Sequence, residues 1–476
     1  MFRSAFLALG LALTSLSAAA AQPGAFPPPK SLGPVEKFGD NLQRSMTLMA
    51  TSTGLKRNTV RILFYGQSIT DSDWTRIVSE RLRRQYPLVD FVSENRAILG
   101  FSAEYLVKTA EADLYPFYPD LVIFHDYGFV GPFEDIIRRI RERTTADILI
   151  ATDHVAPLLG EKMDEETDPA KILPPKAGES LHGPWRNRMF LPAIAKKYGA
   201  ELAEVRILWK QYIHDHKLTP SDLLFDDLHL NAHGNYLMAE IISSHLRHRP
   251  DLLADSGDDR VKTYTVGPEG DLLWKDGKLV LPFEGNKVDL ICKDGSGSPA
   301  SIRIDGKKPS EFPELYSATR SQMIGFRTVP VLMGVQNVNT RIVETWNMTI
   351  TDIADEGKRF RFKVKGSVTG DDGEGESGKS FVSKSGRVAI GPDDFLMRTA
   401  AVWSRDRNGQ AVELQWKVVP LFADAFVVPA AKNPFGDTVV IAAQGLPNAK
   451  HTLEITGSPD TPLAAIRVYR PPLPVR

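Results

Sequence analysis

The feature that most constrains this chain is a repeating alternation, between residues 58 and 250, of short apolar runs and amphipathic stretches. Val60-Arg61-Ile62-Leu63-Phe64-Tyr65 reads as a buried strand. Trp74 to Tyr86 follows with apolar residues at helical spacing (Trp74, Ile77, Val78, Leu82). Further strands are predicted at Val89–Val92, Leu121–Phe124, Ile148–Ala151 and, more weakly, Glu201–Val205. Helices are predicted at Ala103–Ala112, Phe133–Arg143, Pro184–Tyr198 and Ala232–Arg247. Strands alternating with helices are joined by crossovers, so they run parallel and the helices cover both faces of the sheet. The expected fold class is therefore α/β, a three-layer α/β/α domain. In such sheets ligands sit outside the carboxyl ends of the strands, which is where chemistry is to be sought.

From Val261 onward the helical spacing fades and period-two runs replace it. Leu279-Val280-Leu281, Lys287 to Ile291, Ser301 to Gly306, Arg359 to Val364, Glu413 to Val419 and Ala465 to Tyr469 all alternate. Residues 251–260 read as a linker and residues 261–476 as an all-β sandwich or jelly-roll region. Gly285–Lys308 and Leu446–Pro471 pattern as halves of one jelly roll. That divides the region into 261–320 plus 435–476, with an inserted β module at 321–434.

The N-terminus reads as a secretory signal. Arg3 supplies the positive charge, Phe6 to Leu16 the apolar run, and Ala19 and Ala21 the small residues before a cleavage site at Gln22. The expectation is a signal peptide at 1–21, a leader at 22–57 that begins Pro-rich and extended, and a periplasmic or secreted mature protein that leaves the membrane once cleaved. Cys292 is the single cysteine, so neither an intramolecular disulfide nor a cysteine zinc cluster can form. The 58 basic and 59 acidic side chains give a formal charge of −1. Without a basic excess, nucleic acid is excluded as the expected partner.

Two motifs carry chemistry. Tyr65-Gly66-Gln67-Ser68-Ile69-Thr70 follows the first strand directly, and a serine on a tight turn there exposes its hydroxyl near turn and helix amides. Phe225-Asp226-Asp227-Leu228-His229 precedes the last helix of the unit. A serine hydroxyl needs a base to become a nucleophile, and histidine is the base suited to neutral pH. An acid three positions earlier can fold back to orient the imidazole, Asp226 by spacing, with the adjacent Asp227 as its rival. His233 reads as a helix-start residue.

Together these blocks resemble the SGNH (GDSL-type) hydrolase superfamily over roughly residues 58 to 250. Gly66-Gln67-Ser68-Ile69-Thr70 is similar to the family's G-D-S-I-T block, with Gln in place of Asp. Asp226-Asp227-Leu228-His229 is similar to its D-x-x-H block. The resemblance implies a triad of Ser68, Asp226 and His229. It also implies an oxyanion amide at Gly100, from Asn95-Arg96-Ala97-Ile98-Leu99-Gly100. The family's G-x-N-D block is not matched, because Phe124-His125-Asp126-Tyr127-Gly128 puts Tyr127 where the oxyanion Asn would stand. The missing donor is expected from Tyr127, Asn95, His125 or His154. His154 and Asp153 follow the fourth strand and could also line the pocket.

Gly373-Glu374-Gly375-Glu376-Ser377-Gly378-Lys379-Ser380 fits the pattern of a phosphate loop. Strand-like flanks and four acids argue against one, and an acidic hairpin loop is expected instead. The functional expectation is an exported serine esterase that deacetylates poly- or oligosaccharides and needs neither cofactor nor metal. The alternatives are a lipid or aryl esterase, and a non-catalytic glycan-binding protein with a decayed hydrolase domain. The carbohydrate part follows from analogy with exported relatives that carry β-sandwich modules. Trp274, Trp346 and Trp403 are candidates to stack on sugars, although a place in the core is the favoured reading for them.

Overall fold

The computed structural model describes residues 26–175, 183–252, 259–293, 297–324, 329–406 and 408–474. The expected signal peptide, the start of the leader and part of the linker lie outside the described residues. Helix α1 (Gln43–Ala50) precedes the first strand of the α/β domain. Strands β1 (Thr59–Gly66), β2 (Asp90–Asn95), β3 (Leu121–His125), β4 (Asp147–Ala151) and β5 (Glu201–Ala203) pair in parallel, in the order β2-β1-β3-β4-β5. Helices α2 (Trp74–Gln85), α3 (Ala103–Asp113), α4 (Val130–Arg143), α5 (Leu191–Tyr198), α6 (Val205–His216) and α7 (Ala232–His245) complete the domain.

Strand pleating decides which side chain meets which layer. Val60, Ile62 and Phe64 pack with Trp74 and Val78 of α2, Trp209 of α6 and Leu237 of α7. Leu63 and Tyr65 point the other way, into a core with Leu106 of α3, Ile136 of α4 and Ile194 of α5. Strands β3 and β4 are buried at every position, which is why they read as unbroken apolar runs. Two expectations are corrected. Val205 opens a helix rather than closing a strand, and residues 186–190 form a π-helical turn ahead of α5. Among the described residues, no helix is long and apolar enough to cross a membrane.

The remaining chain is antiparallel β. Its strands are β6 (Val261–Thr265), β7 (Lys278–Cys292), β8 (Ala300–Ile304), β9 (Tyr316–Ala318), β10 (Gln322–Met323), β11 (Thr345–Ala354), β12 (Arg359–Gly366) and β13 (Gly370–Glu376). They continue with β14 (Phe381–Val382), β15 (Ala389–Ile390), β16 (Val412–Pro420), β17 (Ala425–Phe426), β18 (Val439–Thr456) and β19 (Leu463–Tyr469). One sheet runs β17-β8-β18-β7-β19-β6 and a second runs β10-β16-β11-β12-β13. Helix α8 (Arg398–Asp406) lies between β15 and β16. Leu279–Leu281 and Lys287–Ile291, expected as separate strands, belong to the one long strand β7.

Along β7, burial alternates up to Glu284 and then becomes continuous from Gly285 to Ile291. The reason is a second neighbour. Val288 and Leu290 face the β core, while Asn286 and Lys287 face the α/β domain. Tyr118 donates its hydroxyl to Asn286 at 2.7 Å, and the Lys287 ammonium lies 4.7 Å from the centres of both the Tyr118 and Tyr469 rings. The acidic segment expected as a hairpin loop is largely strand β13, on the edge of the second sheet. Trp346 is a core residue, 1% exposed and stacked on Trp416, and Trp274 is half-buried against the other core. The side chain of Trp403 lies outside the described residues.

Candidate active site

Ser68 sits in the turn that follows β1, at the carboxyl edge of the sheet. Gly66 makes this turn possible. A Cβ there would lie 2.0 Å from the His125 carbonyl oxygen and 2.4 Å from Thr70 Oγ1, so no other residue fits. The Thr70 and Asp71 amides then donate to the Gln67 carbonyl at 2.8 and 3.0 Å, closing the turn and leaving Ser68 half-exposed at its apex.

The second motif arrives from the far side of the sheet. Asn231 caps α7 by accepting from the His233 and Gly234 amides, which fixes the loop before it. In that loop Asp226 folds back on its own backbone. Its Oδ1 accepts from the His229 amide at 2.7 Å and the Leu228 amide at 3.2 Å. Its Oδ2 accepts from His229 Nδ1 at 2.7 Å. His229 Nε2 lies 3.0 Å from Ser68 Oγ. A proton on Nδ1 leaves Nε2 as the acceptor for the serine hydroxyl. Burial alone would raise the Asp226 carboxyl, but the donors from His229 outweigh it and hold the group below the usual aspartate value. Asp227 adopts a left-handed backbone and its Oδ1 accepts from Ser221 instead. His233 starts α7 and meets the Tyr212 hydroxyl at 2.7 Å.

Gly100 lies in the loop after β2, which is tied to the serine turn by a 3.0 Å bond from the Ile98 amide to the Gly66 carbonyl. Among the described residues no acceptor meets its amide. The β region reaches this loop through Arg398, whose Nη2 donates to the Gly100 carbonyl at 3.2 Å. The aromatic ring of Phe225, 69% exposed, lies parallel to the His229 imidazole with 5.6 Å between centres.

The side chains expected to replace the oxyanion Asn take other places, and each has a physical reason. Asn95 spends its amide on the Thr70 carbonyl at 2.7 Å and on Thr75 Oγ1 at 3.1 Å, bracing the serine turn from behind. Tyr127 turns its ring into the core, edge-on to His125 and only 6% exposed. His154 is fully buried and donates from Nε2 to the Leu228 carbonyl at 2.8 Å. His125 is fully buried 3.5 Å from Asp153. Burial pushes the two imidazoles down, His125 to about 4 and His154 to about 3, so both are neutral at pH 7.

Sequence reasoning missed a buried polar network beneath the site. Asp153 Oδ2 accepts from Asn187 at 3.1 Å and lies 3.4 Å from Arg186 Nε. Arg206 binds the His154 carbonyl at 2.8 Å and both oxygens of Glu165 at 2.6 Å. These partners stand 33 to 52 positions apart, so no local pattern announces them. Gln67 was missed in a different way. It was visible as a departure from the Asp of the family block, but not as a neighbour of the Ser68 hydroxyl. Its Oε1 lies 3.0 Å from Ser68 Oγ and accepts from the Ser68 amide at 3.3 Å.

No family model matches the chain, and no curated protein matches it either. Among solved structures, a two-domain esterase active on acetylated mannans is similar at 14% identity and a TM-score of 0.34, over 92% of this chain and 98% of that one. An acetylxylan esterase from Geobacillus stearothermophilus is similar at 15% identity and a TM-score of 0.32, over 41% of this chain and 98% of that one. A protein from Parabacteroides merdae assigned as a GDSL-like lipase is similar at 15% identity and a TM-score of 0.32, over 40% of this chain and 98% of that one. In this chain the two motif blocks meet at the carboxyl edge of the parallel sheet, where His229 Nε2 reaches Ser68 Oγ.

Proposed function

We propose that the protein is a serine ester hydrolase that removes small acyl groups, acetyl above all, from carbohydrates. The observation that carries this reading is the continuous hydrogen-bonded chain from Ser68 Oγ through His229 to Asp226. Ser68 Oγ attacks the ester carbonyl carbon while His229 Nε2 takes the hydroxyl proton. Backbone amides of Ser68 and Gly100 meet the oxyanion. Collapse breaks the bond to the sugar oxygen, which takes the proton back from His229 and leaves an acyl group on Ser68. Water, deprotonated by His229, then attacks the acyl carbon, releasing the carboxylic acid and restoring the serine. Phe225 supports the carbohydrate part of the reading, since an exposed ring flush with the proposed base offers a flat apolar face to a sugar. Export remains part of the proposal on the strength of residues 1–21.

The test is hydrolysis of a short-chain aryl acetate, followed by acetate release from acetylated plant and microbial polysaccharides. Wild type is expected to turn over both, with Ser68→Ala reduced by about 10⁴ or more. Equal activity or equal inertness of the two chains overturns the triad. Rates that rise with acyl length favour a lipid substrate instead.

A further inference from the structure

We propose that the cleft between α3, α4 and the β region binds a sugar acid, with Arg341 as the partner of its carboxylate. This goes beyond the esterase reading, because no member of the Ser68 triad lines the cleft. The cavity is about 770 Å³, in the size range of small-ligand sites. Its walls are the second half of α3, the outer face of α4 and the loops around β9 and β10.

Five cations line it, and four have carboxylate partners. Lys108 pairs with Asp394 at 2.9 Å, and Arg320 with Asp113 at 2.8 Å. Arg139 and Arg143 share Glu111 at 3.1 and 2.6 Å. Arg341 is the exception. It is 8% exposed, and its terminal nitrogens reach only the Tyr316 and Val335 carbonyls, at 3.4 and 2.5 Å. Among the described residues no carboxylate lies within ion-pair distance of it, and its buried Nε meets no acceptor. A guanidinium buried with no carboxylate in direct contact, and only the longer-range pull of Glu111 to offset its charge, is costly to the fold. That cost also pulls the group down to about 10, still charged at neutral pH.

A second donor waits in the same cleft. The Tyr115 hydroxyl is buried and has no acceptor among the described residues. The Arg143 guanidinium lies over the face of the ring, 4.6 Å from its centre. A planar fork of N–H groups matches a carboxylate. On the same wall, Gln336 and Asn337 spend their amide nitrogens on Asp394 at 3.4 Å and the Asn339 carbonyl at 3.0 Å, which leaves their side-chain oxygens to accept from hydroxyl groups. One ligand chemistry uses all of these together, namely a carboxylate carried on a polyhydroxylated ring.

The experiment titrates the full chain with sodium glucuronate, glucose and sodium acetate, followed by calorimetry and melting temperature. Glucuronate is expected to bind and raise the melting temperature, with glucose and acetate at least tenfold weaker. Arg341→Met is expected to lose glucuronate binding tenfold or more while still hydrolysing an aryl acetate. Failure of glucuronate to bind overturns the site, as does equal binding by wild type and Arg341→Met. Acetate binding as tightly as glucuronate overturns the sugar part. Should Arg341→Met fail to fold, Tyr115→Phe removes one oxygen, and unchanged glucuronate binding by that chain also overturns the proposal. Loss of aryl acetate turnover in wild type would sink the esterase reading and leave these binding results intact.

Discussion

The imidazole of His154, at the end of β4, donates to the carbonyl oxygen of Leu228, the residue immediately before His229. A carbonyl can only accept, so the bond fixes the His154 proton on Nε2. Trp209 packs on the same ring, 5.1 Å between centres. The loop that presents the proposed base is thus held from beneath by a second, neutral histidine.

His154→Leu is therefore expected to lower kcat by about ten- to a hundredfold, as a displacement of His229 by a fraction of an ångström would. KM should change much less. His154→Gln keeps a donor and should recover most of the loss. Equal kcat for wild type and His154→Leu would show that the loop holds itself.

Asp226→Asn leaves the shape of the loop but turns a pure acceptor into a group that can donate. The His229 tautomer is then no longer enforced, and kcat is expected to fall by about 10³–10⁴ with KM nearly unchanged. A loss below tenfold would transfer the acid role elsewhere.

Gln67 Oε1 accepts from the Ser68 amide, which the proposed mechanism assigns to the oxyanion, and competes with His229 Nε2 for the single Ser68 hydroxyl proton. Substrate must displace that side-chain oxygen. Gln67→Ala is expected to raise kcat/KM severalfold toward an aryl acetate. A fall would mean that Gln67 assists the reaction.

Stability should respond to pH through the buried histidines. The unfolded chain takes up protons near pH 6.5, whereas His125 and His154 do so only near 4 and 3. Between those values the unfolded state binds more protons, so these two residues make stability fall as pH drops from 7 to 4. Their combined effect is on the order of several kcal/mol. Burial holds the Asp126 carboxyl well above its usual value, which acts in the opposite sense. The readout is the difference in urea midpoint between wild type and His125→Gln at pH 7, 5.5 and 4. The variant should lose less on acidification, and parallel curves would refute the histidine contribution.

If the proposed export holds, mass spectrometry of the mature protein is expected to find Gln22 at its N-terminus. A mature chain that retains residues 1–21 would overturn cleavage there.

The α/β layers were legible because central strands buried on both faces leave a plain apolar signature, as in Leu121–Phe124 and Ile148–Ala151. Helix α6 was not, because its inward stripe includes the buried Arg206 beside Val205, Trp209 and Ile213, so polarity masks the period. Strand β13 was hidden by its glycines. A Cβ at Gly375 would lie 2.4 Å from the Phe362 ring, so the strand yields its own apolar residue to a neighbour's. At the site, both motif blocks were visible because each is local. The brace from Asn95 to the serine turn and the grip of His154 on Leu228 were not, since each joins residues 25 or more positions apart.

The doubly covered second half of β7 also sets an order of events. Chains grow and fold from the N-terminus, so residues 58–250 are made first. Yet Tyr118 waits for Asn286, the Arg57 amide for the Phe435 carbonyl at 2.6 Å, and the Arg141 carbonyl for the Leu473 amide at 3.0 Å. That side of the parallel sheet therefore gains these contacts only once residues 286, 435 and 473 have been made. The part that carries Ser68 is synthesised early and completed late.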